Sequence, residues 1–93
     1  MKATERRTPG KIAIGHRLEA ALAAAQISRK EICEKLGISQ NKWSQWATGV
    51  NMPSMDDAIR VCEELGVTLD WIFRGDARGV AHGLASKLLK LVS

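Results

Sequence analysis

Ninety-three residues with a formal net charge of +4 make one domain, near the small end of what folds alone. Apolar residues are 45% of the chain, too many for a disordered tail, and no apolar run approaches the length that spans a bilayer. The N-terminus is basic but has no apolar stretch of the secretory kind, so a cytoplasmic location is expected.

Tyr is absent and Phe occurs once, while Ala and Leu are abundant, which favours an all-α fold. Cys33 and Cys62 each sit in a helical apolar pattern and are expected as buried, reduced thiols. With only His16 and His82 as further ligands, no metal-binding spacing appears, and neither metal nor cofactor is expected. The charge is unevenly placed. Residues 1–49 hold nine Lys/Arg against four Asp/Glu, and residues 50–93 hold five against six. A polyanion partner for the first half is the physical consequence.

Residues 1–10 lack apolar periodicity and end in Pro-Gly. They read as a flexible basic arm, whose Lys2, Arg6 and Arg7 either remain solvated or follow a polyanion backbone. A first helix is expected over residues 11–25, with Ile14, Leu18, Leu22 and Ala25 inward and His16 and Arg17 outward.

Residues 28–49 organise the rest. Ser28 followed by Glu31 is a capping-box pattern, and Ile27 with Ile32 occupies the staple positions around it. Gly37 follows Leu36 and suits a left-handed helix stop. Only Ile38 separates it from Ser39, a second N-cap, and Gly49 supplies a second stop. Two capped helices with so short a joint cross steeply, as in a helix-turn-helix. The second of them, residues 40–48, carries Gln40, Asn41, Ser44, Gln45 and Thr48 within an arc of about 140°. Trp43 and Ala47 point inward, with Trp46 at the border. A solvated face usually carries Lys and Glu. Amides and hydroxyls are the groups that pair with base edges in a major groove. At the start of the preceding helix, Arg29 and Lys30 oppose the helix dipole unless an anion such as phosphate sits there.

Pro53 closes the following loop, and Asn51 either touches phosphate or serves the turn. Ser54 with Asp57 caps a fourth helix over residues 55–65, with Ala58, Ile59, Cys62 and Leu65 inward. Arg60, Glu63 and Glu64 form its solvated face, and its acidic start is expected to lie away from DNA. Thr68 caps a short fifth helix that packs Leu69, Ile72 and Trp71 and ends at Gly75. Residues 76–93 are a Gly-containing linker and a terminal helix whose Val80, Leu84, Leu88 and Leu91 recur at helical spacing. That stripe either folds back or pairs with a second chain, and dimerisation is the favoured expectation.

Ile27, Ser28, Glu31, Ile32, Leu36, Gly37, Ile38, Ser39, Trp46, Gly49, Pro53 and Ser54, with the run from Leu65 to Ile72, resemble the Cro/repressor-type helix-turn-helix family of bacterial and phage regulators. The resemblance covers some two-thirds of the chain. It implies a five-helix repressor-like DNA-binding domain over residues 11–75, here with an additional C-terminal helix. It also implies a transcription regulator, most simply a homodimeric repressor reading a palindromic operator in double-stranded DNA. By position, Gln40, Asn41, Ser44 and Gln45 would read bases, and Ser28, Arg29, Lys30, Ser39, Lys42, Thr48 and Asn51 would contact phosphate. The chain departs from the family pattern at Arg29, where Gln is common, at Trp43, where an aliphatic is usual, and at Ala47, where Glu is frequent. The alternative is an antitoxin or adaptor that uses the same fold to seat a protein partner on its C-terminal helix. Nothing supports an enzyme, since no catalytic triad pattern, Gly-rich phosphate loop or paired carboxylates on an apolar wall appear. The tail leaves no room for a separate effector domain, so a small-molecule inducer is not expected.

Overall fold

The computed structural model describes the backbone of residues 9–92 and the side chains of residues 10–91. These residues form six helices and no strand: α1 Pro9–Ala25, α2 Arg29–Leu36, α3 Gln40–Ala47, α4 Met55–Leu65, α5 Leu69–Arg74 and α6 His82–Val92. The fold is all-α, as composition and periodicity predict. No helix among the described residues is long and apolar enough to cross a membrane.

The first helix begins earlier than the sequence suggested. Pro9 and Gly10 belong to the first turn of α1, where proline's missing N–H costs nothing. Residues 1–8, with Lys2, Arg6 and Arg7, lie outside the described residues.

Local chemistry sets the helix ends. The Ser28 hydroxyl accepts from the Glu31 amide at 3.0 Å, and the Glu31 carboxylate accepts from the Ser28 amide at 3.2 Å. This is the reciprocal capping box. Gly37 then takes φ 66°, left-handed backbone that a side chain would strain. Ser39 accepts from the Lys42 amide at 3.0 Å, Ser54 from Asp57 at 3.2 Å and Thr68 from Trp71 at 3.1 Å. Every N-cap expected from the sequence is formed.

The core is built on α1, which packs against α3, α5 and α6. Ile14, Leu18, Ala21 and Leu22 line its buried face. Its approach to α3 is unusually close at Gly15. A Cβ there would lie 2.5 Å from the Ala47 carbonyl oxygen and 2.6 Å from that of Trp46. Arg17 does not face outward as expected. It is half-buried and donates to the Ile72 carbonyl at 3.1 Å, tying α1 to the end of α5.

In α4 the buried stripe is Ala58, Val61, Cys62 and Leu65, which is strict helical spacing. Ile59, expected inside, is 39% exposed because it lies one position off that stripe. Arg60 and Glu64 also do more than face solvent. Arg60 donates to the Leu36 carbonyl, and Glu64 accepts from Lys35 at 2.8 Å, so both tie α4 to α2.

Cys33 and Cys62 are buried and unpaired. Burial pushes the Cys62 thiol up to about 11 and raises Cys33 as well, against the pull of nearby Arg29. Both therefore remain neutral thiols at physiological pH, poor as nucleophiles.

The terminal helix lies along α1. Of the four residues expected to join subunits, Val80 and Leu88 are buried in the chain's own core, and Leu84 packs half-buried against it. Leu91 is exposed, as is Leu89. The stripe serves folding back first, and only its outer edge is left to meet another molecule. Before α6, the Asp76 carboxylate holds Arg78 at 2.6 Å, and that partner keeps Asp76 well below the usual carboxylate range.

Candidate nucleic-acid interface

Ile32, Cys33 and Leu36 of α2, Ile38 of the turn, and Trp43 and Trp46 of α3 are all buried. Together they seat the two helices on the core. The two indoles contact each other with ring centres 5.7 Å apart and planes at 57°. Trp46 is only 2% exposed, so it lies inside the arc whose border it was expected to mark. Each buried indole contributes on the order of 5 kcal/mol by area, an upper figure.

With the tryptophans inward, the other side of α3 is turned out. Gln40, Asn41, Lys42 and Thr48 are exposed, and Ser44 and Gln45 are half-buried. Gln40 and Asn41 have no side-chain hydrogen bond among the described residues, so both faces of two adjacent amides are presented outward. Gln45 differs. Its carbonyl oxygen accepts from the Asn51 side-chain amide at 2.8 Å, and its backbone carbonyl from Val50 and Asn51 at 2.9 and 3.2 Å. Asn51 thus fastens the loop after α3 to Gln45. The Thr48 hydroxyl donates to the Ser44 carbonyl at 2.8 Å.

The cations are arranged less simply than the sequence suggests. Lys30 is exposed and has no partner among the described residues. Lys42 pairs with Asp57 at 3.2 Å and lies 5.9 Å from the centre of the Trp46 ring. The acidic start of α4 is therefore not remote from the outward face of α3, contrary to expectation. One of its carboxylates reaches across to α3 and partly neutralises Lys42.

Arg29 is held by Glu19 of α1, nitrogen to oxygen 2.9 Å. The other Glu19 oxygen accepts the Trp43 indole N–H at 2.8 Å. Arg29 also reaches the Ser44 hydroxyl, a weak contact at 3.5 Å. One carboxylate on α1 thus joins the first residue of α2 to the buried anchor of α3. Trp43, unusual at its position, is wholly buried and its polar atom is satisfied. Glu19 was not singled out from the sequence. Its signal was a lone carboxylate among the alanines of α1, one turn beyond Gly15.

A family model described as a helix-turn-helix domain matches residues 15–78, more than two-thirds of the chain. The chain belongs to the helix-turn-helix domain family. No curated protein and no solved structure matches it significantly. In this helix-turn-helix protein α2 and α3 are the paired helices, joined through Gly37, Ile38 and Ser39. The family is one of DNA-binding domains, and membership supports a DNA-binding regulatory role.

Proposed function

We propose that the protein is a sequence-specific regulator of transcription that binds double-stranded DNA as a homodimeric repressor of the Cro/repressor type and reads a palindromic operator with α3. The observation that carries this is the pair Gln40 and Asn41, exposed and unbonded at the start of α3. Each amide can bond an adenine edge bidentately, worth about 1–3 kcal/mol against a wrong base. Ser44 and Gln45 extend the same face but are partly engaged within the protein. Phosphates would be held at the start of α2 by Ser28, Arg29 and Lys30, and around α3 by Ser39, Lys42, Thr48 and Asn51. Lys42 and Arg29 come to that task already paired with carboxylates, so they supply less net charge than free side chains. Two subunits would present their α3 helices to successive major grooves, roughly 34 Å apart. With Val80 and Leu88 spent on the core, Leu91 is what remains of that stripe for a second subunit. Occupying an operator would block polymerase.

The test is a titration of duplexes enriched from a random pool, over a range of salt. Gln40→Ala is expected to relax the preference among sequences while leaving the salt slope unchanged. Arg29→Ala is expected to weaken all sequences alike and flatten the slope by less than about one unit, since Glu19 already offsets part of that charge. If both variants bind as the parent does, α3 and the start of α2 are not the DNA face.

A further inference from the structure

A cavity of about 270 Å³ lies between α1, α5 and α6. His16, Arg17, Trp71, Arg74 and Leu89 line it, and Gly75 forms its edge. Its ionisable lining is entirely basic, with no carboxylate among the lining residues. Arg17 is fixed there. One of its N–H groups goes to the Ile72 carbonyl, and the rest of the guanidinium lies so close to Gly75 that a Cβ at that glycine would come within 3.0 Å of it. Arg74 is held only loosely, 3.8 Å from Asp70 in an exposed pair, and can turn toward an anion. Trp71 is 1% exposed, and its indole N–H is the one fully buried side-chain polar atom without a hydrogen-bond partner among the described residues. An unmet donor in a folded interior is rare and costly.

We propose that this cavity binds a small organic oxyanion, a carboxylate or phosphate ester carried on a single apolar ring or short chain. The guanidinium groups of Arg17 and Arg74 match the planar oxygen pair of such a group. His16 adds a third basic group, and the Trp71 ring forms part of the lining. Leu89 and Ala13 supply the apolar wall for the ligand's body. The volume lies near the lower end of the roughly 300–1,000 Å³ typical of sites for drug-sized molecules and suits a single ring or short chain. Because Leu89 belongs to α6 and His16 and Arg17 to α1, an occupant would also bridge the terminal helix to the core.

The test follows the three indole N–H signals of the full chain by nuclear magnetic resonance, at constant ionic strength, with benzoate, phenyl phosphate and neutral benzyl alcohol as probes. A saturable shift of the Trp71 signal with either anion is expected, and the tighter of the two identifies the preferred head group. Arg74→Gln, an exposed change that spares the fold, should weaken that binding by about threefold or more, and His16→Gln should weaken it as well. The proposal is overturned if neither anion gives a saturable shift. It is equally overturned if benzyl alcohol gives the same shift, or if both variants bind the anions as tightly as the parent. No arm of the test involves DNA, so its outcome is independent of the function proposed above.

Discussion

Gly15→Ala is expected to destabilise the protein by about 1–2 kcal/mol net, although the same change in an open helix stabilises. Alanine in a helix interior gains about 0.5–1 kcal/mol over glycine. At Gly15 that gain is outweighed. The added methyl would sit 2.5, 2.6 and 2.8 Å from three atoms of the α3 backbone, the Ala47 oxygen, the Trp46 oxygen and the Ala47 carbonyl carbon. Backbone cannot swing aside as a side chain can, so α1 and the end of α3 must separate, and overpacking of this kind costs about 1–3 kcal/mol or more. Gly83 provides the control. It lies in α6 with nothing within 4 Å of where its Cβ would stand, so Gly83→Ala should be neutral or gain up to about 1 kcal/mol. Urea unfolding followed by tryptophan fluorescence reads both. Opposite signs are expected. A gain at Gly15 equal to that at Gly83 would mean that α1 does not seat α3 as described.

Glu19→Ala carries the second large effect, and its size comes from Trp43 rather than from charge. The Glu19–Arg29 pair has both side chains more than a third exposed, and such pairs contribute about 0–1 kcal/mol. Trp43 is wholly buried, and removing Glu19 leaves its N–H with no acceptor, which costs about 1–3 kcal/mol. Glu19→Gln separates the two roles. Its amide oxygen can still accept from Trp43, so stability should fall by less than about 1 kcal/mol. The charge, however, is gone, and Arg29 is released toward solvent. On DNA this variant should bind all sequences more tightly at low salt, with a salt slope steeper by up to about one unit, and discriminate less among them. Equal loss of stability in both variants would show that the indole bond contributes nothing.

The features legible in the sequence were those governed by near neighbours. Ser28, Ser39, Ser54 and Thr68 each cap the helix they precede, because a cap needs only the amide three residues on. Gly37 ends α2 for an equally local reason. The outward face of α3 followed from helical period alone, and so did the α1 stripe. What the sequence did not disclose depends on pairs distant along the chain. Glu19 meets Arg29 and Trp43, Lys42 meets Asp57, and Arg17 meets the end of α5. A charged residue read on its own helix looks solvated, since the partner belongs to another helix whose placement is not yet known. The same limit explains α6. Its apolar stripe was plain, but whether the stripe meets the chain's own α1 or a second subunit depends on the geometry of the 75–81 segment between α5 and α6, which periodicity does not encode. In the structure α1 receives Val80 and Leu88.

Those distant pairs also bear on the proposed role. An α3 fixed to α1 through both Gly15 and Glu19 is held from two sides, at its end and at its buried anchor. Rigid mounting lowers the entropy lost when Gln40 and Asn41 engage a groove, and so favours discrimination over mere adhesion.

The most direct test of this account is selection from a pool of random duplexes by the purified protein, repeated with a Gln40→Ala, Asn41→Ala double variant. The account predicts that the parent enriches an inverted repeat whose half-sites are centred about one helical turn apart, and that the variant loses that enrichment while still retaining duplex weakly at low salt. A pool that remains random, or a motif enriched equally by the parent and the variant, would contradict it.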